Sequence, residues 1–279
     1  MIKTILIPVD GSTNSDIAVD YGIYIAPKLE ASLTGLHVID IYLIQGPMMT
    51  DVSATVGMAS YDCFFEAVEK SLKEKADYVL KNFEDRCRAA GVACRTKKNT
   101  GKISDTIIED AEGADLILMA KKGEHFHLKE GGLIGSVAEV VTRHSGKPVM
   151  VIPESFREIE SMGLAYDGSA PARKALALSL NISEKAKWPI TVLIINSDAA
   201  KAADLTAQVE DMAQKGLADC EVIISAGREA DEILKFIAEG PVELMVMGAY
   251  GHNRLRELLL GSTTSHIIHK SPIPVLLIR

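Results

Sequence analysis

The chain has 279 residues, 47% of them apolar, a globular composition with room for one large domain or two of ordinary size. Its net charge of −8 and pI near 5.4 leave no basic excess to neutralise phosphates, which argues against nucleic-acid binding. No apolar run approaches the about eighteen residues of a membrane span, so no membrane insertion is expected.

In chain order, the first half alternates short apolar runs with helical patterns. Strands are expected near residues 3–9, 33–39, 92–97, 115–120 and 148–152, bounded by Gly, Pro or Asp and apolar on both faces, as buried parallel strands are. The chain starts directly on the first of these, with no signal-peptide pattern. Residues 16–26 place Ile17, Tyr21, Tyr24 and Ile25 at helical spacing, with Pro27 as the stop. Residues 41–61 hold one charge, Asp51, and are interrupted by Gly46, Pro47 and Gly57. They read as an exposed apolar arm or insertion, and the Met48, Met49 and Met58 cluster as packing or partner surface. Residues 66–90 form a long amphipathic helix ended by Gly91. Residues 154–161 are polar and charged, as a linker should be. The cysteines Cys63, Cys87, Cys94 and Cys220 show neither CxxC nor zinc-type spacing, so reduced thiols in a cytoplasmic protein are expected.

The pattern then repeats. Asp10-Gly11-Ser12 returns as Asp167-Gly168-Ser169, and Gly101-Lys102-Ile103-Ser104-Asp105 as Gly227-Arg228-Glu229-Ala230-Asp231. Leu116-Ile117-Leu118-Met119-Ala120 returns as Leu244-Met245-Val246-Met247-Gly248, and Pro148-Val149-Met150-Val151-Ile152 as Pro274-Val275-Leu276-Leu277-Ile278. The order is kept, so the chain is a duplication, with expected domains at 1–153 and 160–279. Alternating β and α makes each half a doubly wound, five-stranded parallel-sheet α/β domain, in which ligands sit beyond the carboxyl ends of the strands. The two final strands are apolar edges that invite aggregation unless paired, so the halves are expected to pack on each other through them.

The chemistry gathers after the fourth strand of the second half. There the sequence reads Gly248-Ala249-Tyr250-Gly251, nine further residues, then Gly261-Ser262-Thr263. Gly248 ends an apolar strand and Gly261 opens the last helix, at residues 262–269. Glycines let the chain turn and let a ligand approach closely. A helix start offers free N–H groups and partial positive charge to a phosphate. Ser262 and Thr263 add hydroxyls, and His252, Arg254 and Arg256 make the loop basic within an acidic chain.

This loop, with the strand–Asp-Gly-Ser opening, resembles the ATP-binding motif of the universal stress protein family, once per half over nearly the whole chain. The resemblance implies an adenine nucleotide α-hydrolase-like fold with helices on both sides of the sheet. It also implies that Asp167 and Ile195, at the ends of the first and second strands, frame adenine and ribose. The segment Met247, Gly248, Gly251, Gly261, Ser262 and Thr263 would wrap ribose and phosphates. ATP, with or without Mg, is the implied cofactor, and a cytosolic stress-response regulator the implied role.

The first half departs from the motif. Ala120 replaces the first glycine, eleven residues separate Gly123 from Gly135-Ser136, and Glu139 sets a carboxylate in the first turn of the last helix. Asp10 and Val38 retain an adenine-sized half-site, but weak or absent ATP binding is expected there. Lys121 and Lys122 read as a solvated pair, as do His125 and His127. His266 and His269 lack a third ligand for a metal. Asp10 and Asp167 have an alternative role as turn caps. Alternatives to a regulator are slow ATP hydrolysis, adenylyl transfer, or a nucleotide-free interaction module. No general base or nucleophile stands out beside the loop, so at most weak hydrolysis is expected. A homodimer using residues 41–61 and an unidentified protein partner complete the expectations.

Overall fold

Short buried strands alternating with amphipathic helices can hide both faces of a sheet only by winding helices over each side. In a computed structural model, which describes residues 1–45, 58–123, 136–215, 220–248 and 261–279, this is the outcome. The first half contains β1 (Thr4–Pro8), α1 (Thr13–Leu29), β2 (Ser32–Asp40), α2 (Ile41–Gln45), α3 (Met58–Ala89) and β3 (Cys94–Gly101), then α4 (Ile103–Ala111), β4 (Leu116–Ala120), α5 (Ser136–His144) and β5 (Val149–Ile152). The second contains β6 (Met162–Ala165), α6 (Ala170–Ala186), β7 (Ile190–Ile195), α7 (Ala199–Lys215) and β8 (Cys220–Ser225), then α8 (Glu229–Glu239), β9 (Leu244–Gly248), α9 (Ser262–Lys270) and β10 (Val275–Ile278).

All these strands join one ten-stranded sheet, ordered β3-β2-β1-β4-β5-β10-β9-β6-β7-β8. Every pairing within a half is parallel, and the halves meet through the antiparallel pair β5–β10. There Met150 faces Leu276, its own counterpart in the repeat, flanked by Val149 with Leu277 and Val151 with Val275. A local twofold therefore passes between Met150 and Leu276, and each final strand removes the other's open edge. Successive residues of these strands feed opposite cores. Met150, Ile152, Leu276 and Ile278 join the layer under α1, α3, α6 and α7. Val149, Val151, Val275 and Leu277 join the layer under α4, α5, α8 and α9. Both cores run through both halves.

Several local expectations are corrected. Pro27 does not stop α1, because a proline in the last turn sacrifices only one helical bond. The helix ends at Glu30, which is left-handed at φ 55, with the Ala31 N–H closing on the Ala26 carbonyl at 2.9 Å. Residues 41–61 are not simply an exposed arm. α2 buries Ile44 against Ile39 and Ala76 while Tyr42 and Leu43 stay exposed, and α3 begins at Met58. Met48 and Met49 lie outside the described residues. β3 is not apolar on both faces. It is an edge strand whose Lys97 and Lys98 pair with Asp110 and Asp77, each at 2.5 Å.

The interdomain segment is tied down, not loose. Tyr21 on α1 accepts from the Arg157 N–H at 3.0 Å, and Tyr24 donates to the Ile159 carbonyl at 2.8 Å while accepting its N–H at 3.1 Å. Phe156 packs on both tyrosine rings, at 4.9 and 5.7 Å between centroids, and Ile159 is fully buried. Among the described residues no helix is long and apolar enough to cross a membrane.

Candidate functional site

In the second half, β6 lies between β9 and β7, and the chain's direction of winding reverses between β6 and β9. Such a switch point opens a crevice at the carboxyl edge of the sheet. Asp167 follows β6, Ile195 closes β7 and Gly248 closes β9, so these expected site residues sit around that edge. The register fixes this: Ala165 at the end of β6 pairs with both Leu193 and Met247.

Asp167 and Asp10 do the same local work. Each Oδ1 accepts the N–H two residues on, from Ser169 and Ser12, at 2.9 Å in both cases. The intervening Gly168 and Gly11 are left-handed at φ 73 and φ 84, as this turn requires. The next serine then caps its helix, Ser12 on α1 and Ser169 on α6, each accepting at 3.2 Å. The turn-cap role is thus realised in both halves. Asp167 is exposed.

Gly248 has a different reason from the one the sequence offers. A Cβ there would stand 2.8 Å from the Ala172 nitrogen and 3.0 Å from the Pro171 carbonyl carbon. The start of α6 approaches so closely that glycine is required by backbone packing before any ligand arrives. Ala120, its counterpart, meets no such demand. The Met247 side chain belongs to the core and is 5% exposed, so the crevice sees at most its backbone. Ile195 is half-buried on the same side of the sheet.

Gly261 is the N-cap of α9, at φ −53 and ψ 142, and among the described residues no side chain caps the first N–H groups. α4 and α8 also start without a side-chain cap, whereas α1 and α6 are serine-capped. Gly261 and Ser262 are exposed and Thr263 is half-buried. Gly251, His252, Arg254 and Arg256 lie outside the described residues.

Glu139, in the first turn of α5 in the first half, is paired with Arg143 one turn along the same helix. The second half also has an acid near its helix start, from another element. Glu229, the first residue of α8, places Oε2 3.5 Å from Thr263 Oγ1. The repeat itself carried the signal for this residue, since Ile103 is the counterpart of Glu229 in the first half. Lys121 and Lys122 are not a solvated pair. Lys121 is buried and donates to the His269 carbonyl at the end of α9, and Lys122 pairs with Glu154 at 2.6 Å. Burial pushes the Lys121 ammonium below its ordinary range, Glu154 opposes that shift, and neighbouring Lys122 adds to it. Among the described residues no group of three His, Cys, Asp or Glu is placed to hold a metal ion.

Comparison with known proteins agrees with this architecture. The profile of the universal stress protein family matches residues 1–153 and again 158–279. A universal stress protein of Synechocystis sp. is 29% identical over 290 residues, covering 100% of both chains. One from Mycobacterium tuberculosis is 23% identical over 297 residues, covering 99% of this chain and 96% of its own. The crystal structure of a universal stress protein from Archaeoglobus fulgidus superposes with a TM-score of 0.75 at 24% identity, covering 99% of this chain and 96% of the other. At that identity the likeness speaks for the fold alone.

Proposed function

The chain belongs to the universal stress protein family as a tandem of two such domains, and from that premise we propose that it is an ATP-binding regulator whose nucleotide is held by the second half. The observation that carries the proposal is the start of α9, without a side-chain cap among the described residues, beside the switch-point crevice. A helix end without a side-chain cap needs another acceptor, and a phosphate is the acceptor such ends favour. The exposed Ser262 and half-buried Thr263 would add hydroxyl donors, while Asp167 and Ile195 would flank the nucleoside at the ends of β6 and β7. Gly251 completes the spacing of the loop in sequence.

Bound ATP would supply a polyanion and a flat base that only the folded second half can hold. It would therefore stabilise that half by mass action and favour whichever conformation completes the crevice. A role in signalling follows more naturally than turnover, because Asp167 is committed to its turn and flanks the nucleoside end. A cytoplasmic location fits free thiols at Cys87 and Cys94 among the described residues. The exposed Tyr42 and Leu43 of α2 support a further homodimer through this region. Sedimentation that shows a concentration-independent monomer would remove that part of the proposal.

The test of the main reading is mass spectrometry of small molecules released by denaturing the purified protein. ATP at a substantial fraction of the chain concentration is expected. A protein that carries no nucleotide and binds none when ATP is added contradicts the proposal and favours an interaction module. Measured turnover of the bound ATP would instead favour an enzyme.

A further inference from the structure

We propose that Cys87 and Cys94 form a reversible dithiol–disulfide site, in which a hydroperoxide oxidises Cys94 and Cys87 closes the bond. Nucleotide binding plays no part in it. Cys87 lies in the last turn of α3 and is fully buried, while Cys94 opens β3 and is half-buried. The chain between them folds back tightly. Gly91 is left-handed at φ 68, and the Val92 N–H returns to the Cys87 carbonyl at 2.9 Å. Cys94 then packs against the core that contains Cys87, close enough for the two thiols to act as hydrogen-bonding partners.

The repeat shows that this pairing is particular to the first half. Val79 on α3 and Leu205 on α7 are matched, since each lies against the glycine of the Asp-Gly-Ser turn in its own half. Counted along the chain from those two residues, Cys94 matches Cys220, which opens β8, but Cys87 matches Ala213. Ala213 is buried, so the fold accepts alanine at this place.

Access divides the work between the two thiols. A small peroxide reaches the half-buried Cys94, whose sulfur attacks a peroxide oxygen. An S–O bond forms, the O–O bond breaks, and the other oxygen leaves as water or an alcohol. Cys87 is shielded from bulk reagents but adjoins the resulting sulfenic acid. Its sulfur displaces the hydroxyl from Cys94, which leaves as water with the Cys87 proton, and the S–S bond closes. Burial holds Cys87 as the thiol, which makes this closing step the slow one. An external thiol reduces the bond and restores the pair.

The experiment treats the reduced full chain with hydrogen peroxide, blocks the remaining thiols with N-ethylmaleimide in denaturant, and maps the unreduced tryptic peptides by mass spectrometry. The wild type is expected to yield a linked pair of peptides holding Cys87 and Cys94, which dithiothreitol abolishes. In Cys87→Ala, Cys94 should stop at the sulfenic acid and pass to the sulfinic acid as exposure continues. In Cys94→Ser, Cys87 should remain a thiol under the same exposure. Matching thermal melts of the reduced proteins show that the fold is kept. A wild type in which Cys94 reaches the sulfinic acid as fast as in Cys87→Ala, in which both residues stay thiols, or in which either links to Cys63 or Cys220 instead, overturns the proposal.

Discussion

Arg279 at the end of the second half donates from Nη1 to the Arg143 carbonyl at 2.7 Å, closing the C-terminus of α5 in the first half. Lys121 of the first half does the reciprocal service for α9 through the His269 carbonyl. Each half's last helix thus has its negative end met by a cation from the other half. Lys121 also begins the stretch that corresponds to the glycine-rich loop proposed to hold nucleotide in the second half. In the first half, the start of that stretch serves the contact between domains.

Lys121→Met should destabilise the protein by about 1–3 kcal/mol, since it removes a buried charged donor and strands a helix-end carbonyl. Arg279→Met, on the exposed side of the pair, should cost under about 1 kcal/mol. Denaturant unfolding of the two variants checks the order. The pH dependence has a definite sign. The Lys121 ammonium is depressed below 10.5, so the unfolded chain holds that proton more strongly. Its contribution to stability should therefore rise as pH climbs toward 10.5, and Lys121→Met should lose that rise.

Leu276→Ala should cost about 2–5 kcal/mol, because Leu276 is fully buried where the halves meet and its neighbours cannot easily close the gap. Both cores and the sheet continue across β5–β10, so the wild type should unfold in one cooperative step. Two well-separated transitions in the wild type would contradict a shared core.

Gly248→Ala should destabilise by about 1–3 kcal/mol even without ligand, as its Cβ meets the backbone of Pro171 and Ala172. The converse change, Ala120→Gly, should cost about 1 kcal/mol or less. Thermal melts of the nucleotide-free proteins measure both.

Much of this was legible in the sequence for a physical reason. Buried parallel strands such as Leu116–Ala120 and Leu244–Gly248 must be apolar on both faces, and the duplication doubled the signal. Asp10 and Asp167 announced their turns because only a short acid followed by glycine makes them. β3 was placed two residues early because an edge strand needs no apolar run, and Cys94–Gly101 is mostly polar. Side chains that act across the repeat were hidden altogether. Nothing near Lys121 indicates that His269, 148 positions away, receives it, and Pro27 looks like a stop although the helix runs past it.

Cys87 should resist alkylation in the native protein and react only on unfolding, whereas the half-exposed Cys94 and Cys220 should react first. Peptide mapping after timed alkylation reads this directly. Burial and the adjoining Cys94 push the Cys87 thiol from 9.0 up to about 12. An acid raised on folding leaves stability intact below 9.0 and lost progressively as pH rises from there toward 12, a loss that Cys87→Ala should lack. The melting temperature should not change with reductant, and a large drop would reveal a structural disulfide.

The central claim is that ATP is held by the second half, and titration calorimetry on the wild type, Gly261→Val and Gly135→Val tests it most directly. Among the described residues a Cβ on Gly261 would meet only Thr264 Oγ1, at an ordinary 3.7 Å, and its φ of −53 suits valine, so the fold should tolerate the change. The added bulk instead crowds the space where phosphate would approach the helix start. Micromolar binding needs about 8 kcal/mol, and the helix start supplies up to about 2 kcal/mol of it. The account predicts one tight ATP per chain in the wild type, its loss in Gly261→Val and its survival in Gly135→Val. Two equivalent sites, or loss of the tight site only in Gly135→Val, would contradict it.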